Sequence, residues 1–188
     1  ALAELFKEHP YRWSPIGCIP HLRAASVAEL REFWTRYYVP NNATLVMVGA
    51  VKHETAQELA RKYFGWIPRC PDPPRITVQE PPTTQPRQIT LKEDNAPAPI
   101  IGVVFHTVPT THPDEIPLEL LGTILGGGES SRIYRELVAE KQLAAMAMAG
   151  SFTLEQAGLF GAVAVLMPVG GEVDDVQAAL EAQISRLR

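Results

Sequence analysis

Seven prolines crowd into the twenty residues 67–86, at positions 68, 71, 73, 74, 81, 82 and 86. Each fixes its own φ, withholds an amide donor and turns the residue before it away from the helical region. No helix or central strand can run through such a stretch, so it predicts an extended, semi-rigid connector. The chain is thereby divided into 1–66, the linker 67–86 and 87–188. With 188 residues, 46% of them hydrophobic, there is enough apolar material for one large core or two small ones, and disorder is not expected.

Before the linker, Ser26 followed by Glu29 reads as a capping box, and Val27, Leu30, Phe33, Trp34, Tyr37 and Tyr38 recur at helical spacing on a face expected to be buried. Pro40, Asn41 and Asn42 stop that helix. Ala43–Val51 is nearly all apolar and partly β-branched, which predicts a central strand, and Thr55–Phe64 predicts a helix. After the linker, strands are expected at Arg87–Lys92 and Ile100–Val108, then helices at Pro113–Leu125, with Ile116, Leu120, Leu121 and Ile124 on one face, and at Ser130–Lys141. Leu143–Phe152 and Leu159–Met167 read as paired strands, and Val173–Leu187 as a helix carrying Val176, Leu180, Ile184 and Leu187. This order argues for an α+β architecture, with helices packed on one face of a mainly antiparallel sheet.

Charge and composition remove several functions. Net charge is −4, with Lys and Arg spread along the chain, so there is no basic stripe for phosphates and no nucleic-acid partner is expected. No apolar run approaches the roughly 18 residues of a membrane span. Cys18 and Cys70 match no metal or redox spacing, and both a pair and two free thiols remain open. The chain opens at Ala1 without a methionine and reaches Arg188 with a helical pattern still running, and so reads as an excised fragment.

Histidines stand at 9, 21, 53, 106 and 112, and none has a partner at metal-binding spacing. His9 follows Glu8, but Leu5 occupies the place where an inverted H-x-x-E-H helix needs its first histidine. A surface or capping role is expected for each. The most unusual stretch is Leu125–Leu137, LGGGESSRIYREL. Gly126, Gly127 and Gly128 ahead of Ser130 and Ser131 could cradle a phosphate, but the P-loop Lys-Ser/Thr is absent and no strand precedes them. A helix end, a tight turn and a Ser130 or Ser131 cap account better for the pattern. As nucleophiles the serines lack a nearby base. Arg132 and Arg135 are expected to be solvated helix charges, with carboxylate binding as the alternative.

Four stretches, HPYRWSPIG from His9, YYVPNNATLVMVGAV from Tyr37, KYFGWIP from Lys62 and LGGGESSRIYREL from Leu125, together with AGLFG from Ala157, resemble the pitrilysin/insulinase-type zinc metallopeptidases. That family includes the mitochondrial processing peptidase. The resemblance runs in order over nearly the whole chain. It implies two or more related α+β repeats closing around an unfolded peptide, with 1–66 as the end of a zinc-bearing repeat and 87–188 as a second repeat truncated at its end. The zinc-binding histidines and glutamate would precede Ala1, so zinc is expected in the parent protein and no cofactor in this chain. A zinc ion there acts as a Lewis acid and generates hydroxide.

The family also holds substrate with an arginine and a tyrosine. Aligned on Leu137 and Leu143, Val138 stands at the arginine position and Ala145 at the tyrosine position, and neither side chain can donate a hydrogen bond. This chain alone is expected to be inactive. The resemblance implies the non-catalytic region of an endopeptidase with an unfolded peptide substrate and a homologous partner subunit; the alternative is a scaffold-like member without peptidase activity. The compartment is not readable from the residues, and an exported or periplasmic bacterial parent rests on resemblance alone.

Overall fold

The computed structural model describes residues 2–92, 94–167 and 171–187. These fall into two compact units, Ala1–Pro81 and Pro82–Arg188.

The first unit contains α1 (Leu2–Leu5), α2 (Ile19–Ala24), α3 (Val27–Tyr37) and α4 (His53–Phe64), with 3-10 turns at Pro10–Arg12 and Pro40–Asn42. Helix α3 starts where the capping box places it. The Glu29 amide donates to Ser26 Oγ at 3.2 Å, and the Ser26 amide donates to Glu29 Oε2 at 2.8 Å. The expected burial of its apolar face is not met: Leu30, Phe33, Trp34 and Tyr38 are all more than half exposed. Nor is Ala43–Val51 a strand. It runs without regular structure, because among the described residues no neighbouring strand supplies the ladder hydrogen bonds that an extended apolar segment needs. Among its described residues only Phe6, His9 and Val39 are buried.

The second unit contains β1 (Ile100–Thr107), α5 (Glu115–Gly126), α6 (Arg132–Tyr134), a π-helical turn (Arg135–Glu140), β2 (Ala144–Thr153), β3 (Gly158–Leu166) and α7 (Val173–Ser185). The three strands form an antiparallel sheet in the order β1-β3-β2, so β3, last in sequence, lies in the middle. Helix α5 packs on β2 and α7 on β1 and β3. The expected class, α+β with helices on one face of an antiparallel sheet, is the one observed. Arg87–Lys92 is not a strand: it pairs with none of the three.

The core lies between helices and sheet. Leu125 from α5, Ile133 from α6 and Leu137 from the π turn meet Val176, Ala179 and Leu180 from α7 over Ala147, Phe160, Ala162, Ala164 and Leu166 of the sheet. Alternation along β3 puts every second residue on this face. In α7 the expected face is correct: Val176 and Leu180 are buried, and Ile184 and Leu187 pack against the core. In α5 it is not. Ile116, Leu120 and Ile124 are exposed, and the inward residues are Leu118, Leu121, Gly122, Leu125 and Gly126. The reason is close approach. A Cβ built at Gly122 would lie 2.8 Å from Gly150 Cα, and one at Gly126 only 1.8 Å from the Ala149 nitrogen. Two glycines one turn apart let α5 lie directly on the backbone of β2, a face that hydrophobicity alone does not mark.

Candidate functional site

The glycine run is a turn. Gly126 is the last residue of α5, the Gly127 amide donates back to Thr123 O at 2.9 Å, and Gly128 takes φ +86°, a value that favours glycine. Ser130 and Arg132 are exposed, whereas Ser131 is buried. Ser131 occupies the position before α6, but its hydroxyl donates to Gly128 O at 2.6 Å and makes no capping bond to the helix. The expected serine cap is therefore replaced by a bond that closes the glycine turn. The amides of Gly127 and Ser131 are both spent inside this turn, on Thr123 O and Gly128 O, and the helix that follows has a single α-helical turn before it widens. A phosphate cradle finds no support in that arrangement.

Past the turn lie the two positions singled out by resemblance. Val138 sits in the π-helical turn and packs partly against the core. Ala145 is exposed at a bulge in β2: Ala144 pairs with Leu166 and Met146 with Val165, leaving Ala145 without an opposite residue. Between them Gln142 adopts φ +52°, a left-handed conformation that side chains other than glycine rarely take. Glu136 anchors the segment. Its carboxylate is 2.6 Å from Lys141 Nζ and 3.8 Å from Arg186 Nη1, and it accepts a hydrogen bond from Gln183 Nε2. Arg135 lies 3.6 Å from Glu140, an exposed pair of little energetic weight.

The histidines are dispersed. His9 is buried and caps the Pro10–Arg12 turn, its Nδ1 accepting from the Tyr11 amide at 3.2 Å, with the Tyr11 ring 4.1 Å away. A capping role was expected; burial was not. His112 Nδ1 accepts from the Asp114 amide at 3.1 Å, and His106 Nδ1 lies 3.1 Å from Thr83 Oγ1. His21 stands against Trp13, and His53 opens α4. Among the described residues no three His, Cys, Asp or Glu side chains gather as a metal ion requires. The described residues do not fit a zinc ion. Cys18 and Cys70 are free thiols.

Sequence reading missed Glu80. Its carboxylate accepts from three successive amides, Lys7 at 2.7 Å and Glu8 and His9 at 2.9 Å each, and so ties the far end of the Pro-rich segment to the start of the same unit. Nothing in the local pattern marks an acceptor whose donors lie more than 70 residues away.

The second unit also presents a broad apolar surface. On the sheet face opposite the helices, the cross-strand rows are Ile100–Val165–Met146, Gly102–Val163–Met148, Val104–Gly161–Gly150 and His106–Leu159–Phe152. Ile100, Met146, Met148 and Phe152 are exposed there, and no charged residue interrupts the rows. An antiparallel sheet with one solvated face normally alternates apolar with polar. This one is apolar on its outer side as well, except at His106.

Comparison with known proteins agrees with this frame. The family described as the peptidase M16 inactive domain matches residues 24–188. The chain is 28% identical over 181 residues to the zinc protease PqqE of Helicobacter pylori, covering 95% of this chain and 40% of that protein. It is 24% identical to the probable mitochondrial-processing peptidase subunit beta of Arabidopsis thaliana, covering 98% and 36%. A crystal structure of a protease from Helicobacter pylori superposes with a TM-score of 0.88 at 26% identity, over 97% of this chain and 44% of that one. The chain thus spans about two fifths of the length of the curated relatives it matches.

Proposed function

Since the chain belongs to the family of peptidase M16 inactive domains, we propose that it is the non-catalytic region of a zinc-dependent endopeptidase acting on unfolded peptides. In this reading it shapes the substrate chamber and the contact with a homologous partner subunit. Relatives of the same family bear the names zinc protease and processing-peptidase subunit, which supports both the chemistry and the partnership. The ion would be held by residues of the parent outside this chain and would supply a Lewis acid and a bound hydroxide there. This chain contributes shape.

The uncharged sheet face carries the proposal. Its exposed positions Ile100, Val104, Met146, Met148 and Phe152 form an apolar surface that is unfavourable to leave in water. Unit Ala1–Pro81 has the same character, with α3 and α4 flanking the exposed apolar segment Ala43–Val51. Residues 1–66 accordingly read as the closing part of one α+β repeat, whose remaining strands would pair with Ala43–Val51, with 67–86 as the linker and 87–188 as the next repeat. Val138 and Ala145 lack the donors that would hold a peptide backbone, so the partner would supply them in trans. The same absence favours a second reading, a scaffold-like member without peptidase activity.

The test is zinc content and cleavage of an unfolded peptide by the full-length parent, with and without its partner, beside this chain alone. About one zinc per parent and cleavage only in the presence of the partner is the expected result. Cleavage by this chain alone would sink the proposal; a zinc-free, inactive pair would leave the scaffold.

A further inference from the structure

From Arg135 to Met146 the chain carries three irregularities in a row, and one side-chain pair ties the first of them. The turn Arg135–Glu140 is π-helical, with the Lys141 amide donating to Glu136 O, five residues back, at 2.9 Å. The Leu143 amide then donates to Leu137 O, six residues back, at 2.8 Å, across the left-handed Gln142. A normal helix end of this kind closes with a bond five residues back, so the turn holds one surplus residue. The Ala145 bulge holds a second surplus residue in β2.

Glu136 and Lys141 are themselves five apart. On an α-helix, at 3.6 residues per turn, such positions point about 140° away from each other and cannot pair. The wider π turn brings them to the same side, where Lys141 Nζ reaches Glu136 Oε1 at 2.6 Å. The carboxylate is mostly shielded, with 14% of its side chain exposed, and Gln183 from α7 holds its other oxygen. An α turn over the same residues would give up the Lys141 pair and the six-residue bond of Leu143.

We propose that the Glu136–Lys141 pair favours the wide π turn of Arg135–Glu140 over a regular α turn, and so helps to place Val138 within it. Loss of the lysine charge loosens the turn. π turns and bulges recur where a fold must re-aim a side chain, and here the two bracket the four residues 141–144. Because the turn is defined by its own hydrogen bonds, it holds whether or not the parent cleaves peptides.

Amide hydrogen exchange on the full 188-residue chain tests this. In Lys141→Met the amides of Lys141 and Leu143 should exchange about three- to five-fold faster, the range of one partly exposed ion pair. The β3 amides of Ala162 and Ala164 should not change. Arg186→Met, which removes only the 3.8 Å contact to the same carboxylate, should leave Lys141 and Leu143 unaffected. Equal acceleration in β3, no acceleration at all, or the same local loss in Arg186→Met would each overturn the selection of the π turn by this pair.

Discussion

At the scale of single residues the glycines carry most of the specificity. In a free helix Gly126→Ala would gain about 1 kcal/mol from helix propensity. Here the added methyl would meet the Ala149 nitrogen at 1.8 Å, backbone that cannot rotate away. The clash decides the sign. Gly126→Ala should destabilise the chain by about 3 kcal/mol or more, seen as a lowered urea midpoint with unchanged slope. A neutral result would mean that α5 does not lie on β2. Glu29 makes a second, charge-dependent prediction. The Ser26 amide, and after it the Ser26 hydroxyl, hold its carboxyl below the usual glutamate range. A carboxyl depressed by folding contributes stability that is complete above the unfolded pKa and is lost as pH falls through the folded value. Protection of the first turn of α3 should therefore be complete above the ordinary glutamate range, begin to fall as pH drops through it and be lost below the depressed folded value. In Ser26→Ala, which removes the hydroxyl but keeps the amide, the Glu29 titration, followed by NMR, should move only part of the way back up.

Elements were legible in the sequence wherever local chemistry suffices. The Ser26–Glu29 box, the β2–β3 pair and the inward stripe of α7 all follow from spacing of two, three or four residues. What failed needed partners distant in the chain. Ala43–Val51 has strand composition without a neighbouring strand, and the inner face of α5 is set by glycines rather than by its isoleucines. At the site, the glycine turn was readable, but the π turn was not, since the Glu136–Lys141 spacing signals nothing in an α-helical frame. The outer sheet face gives this scale its own prediction. Met148 is half exposed there, with Val163 beside it and Gly102 beyond. Met148→Lys should change folding stability by no more than about 0.5 kcal/mol, while reducing self-association measured by light scattering. A loss of about 2 kcal/mol would show that the face is already covered in this chain.

For the whole molecule, the two units differ in what holds them. Pro82–Arg188 has a contiguous core between three strands and their helices, whereas among the described residues of Ala1–Pro81 only Phe6, His9 and Val39 are buried, and that unit is tied at one end by Glu80. All three tryptophans, Trp13, Trp34 and Trp66, fall in the weaker unit, and all are more than half exposed. Fluorescence thus reports the first unit alone, whereas circular dichroism reports the helices of both. In a urea titration the far-ultraviolet signal should show the cooperative transition of the second unit, with a slope of about 1–3 kcal/mol/M, on top of a gradual loss from the helices of the first. Tryptophan emission should already resemble that of solvent-exposed indole at zero urea and shift little. In the proposed full-length parent, Trp34 lies on the α3 face that the rest of its repeat would cover, so emission there should be blue-shifted and move with the transition. Blue-shifted emission from this chain alone would place a covering surface on α3 without the parent, and a concentration-dependent shift would identify that surface as a second copy.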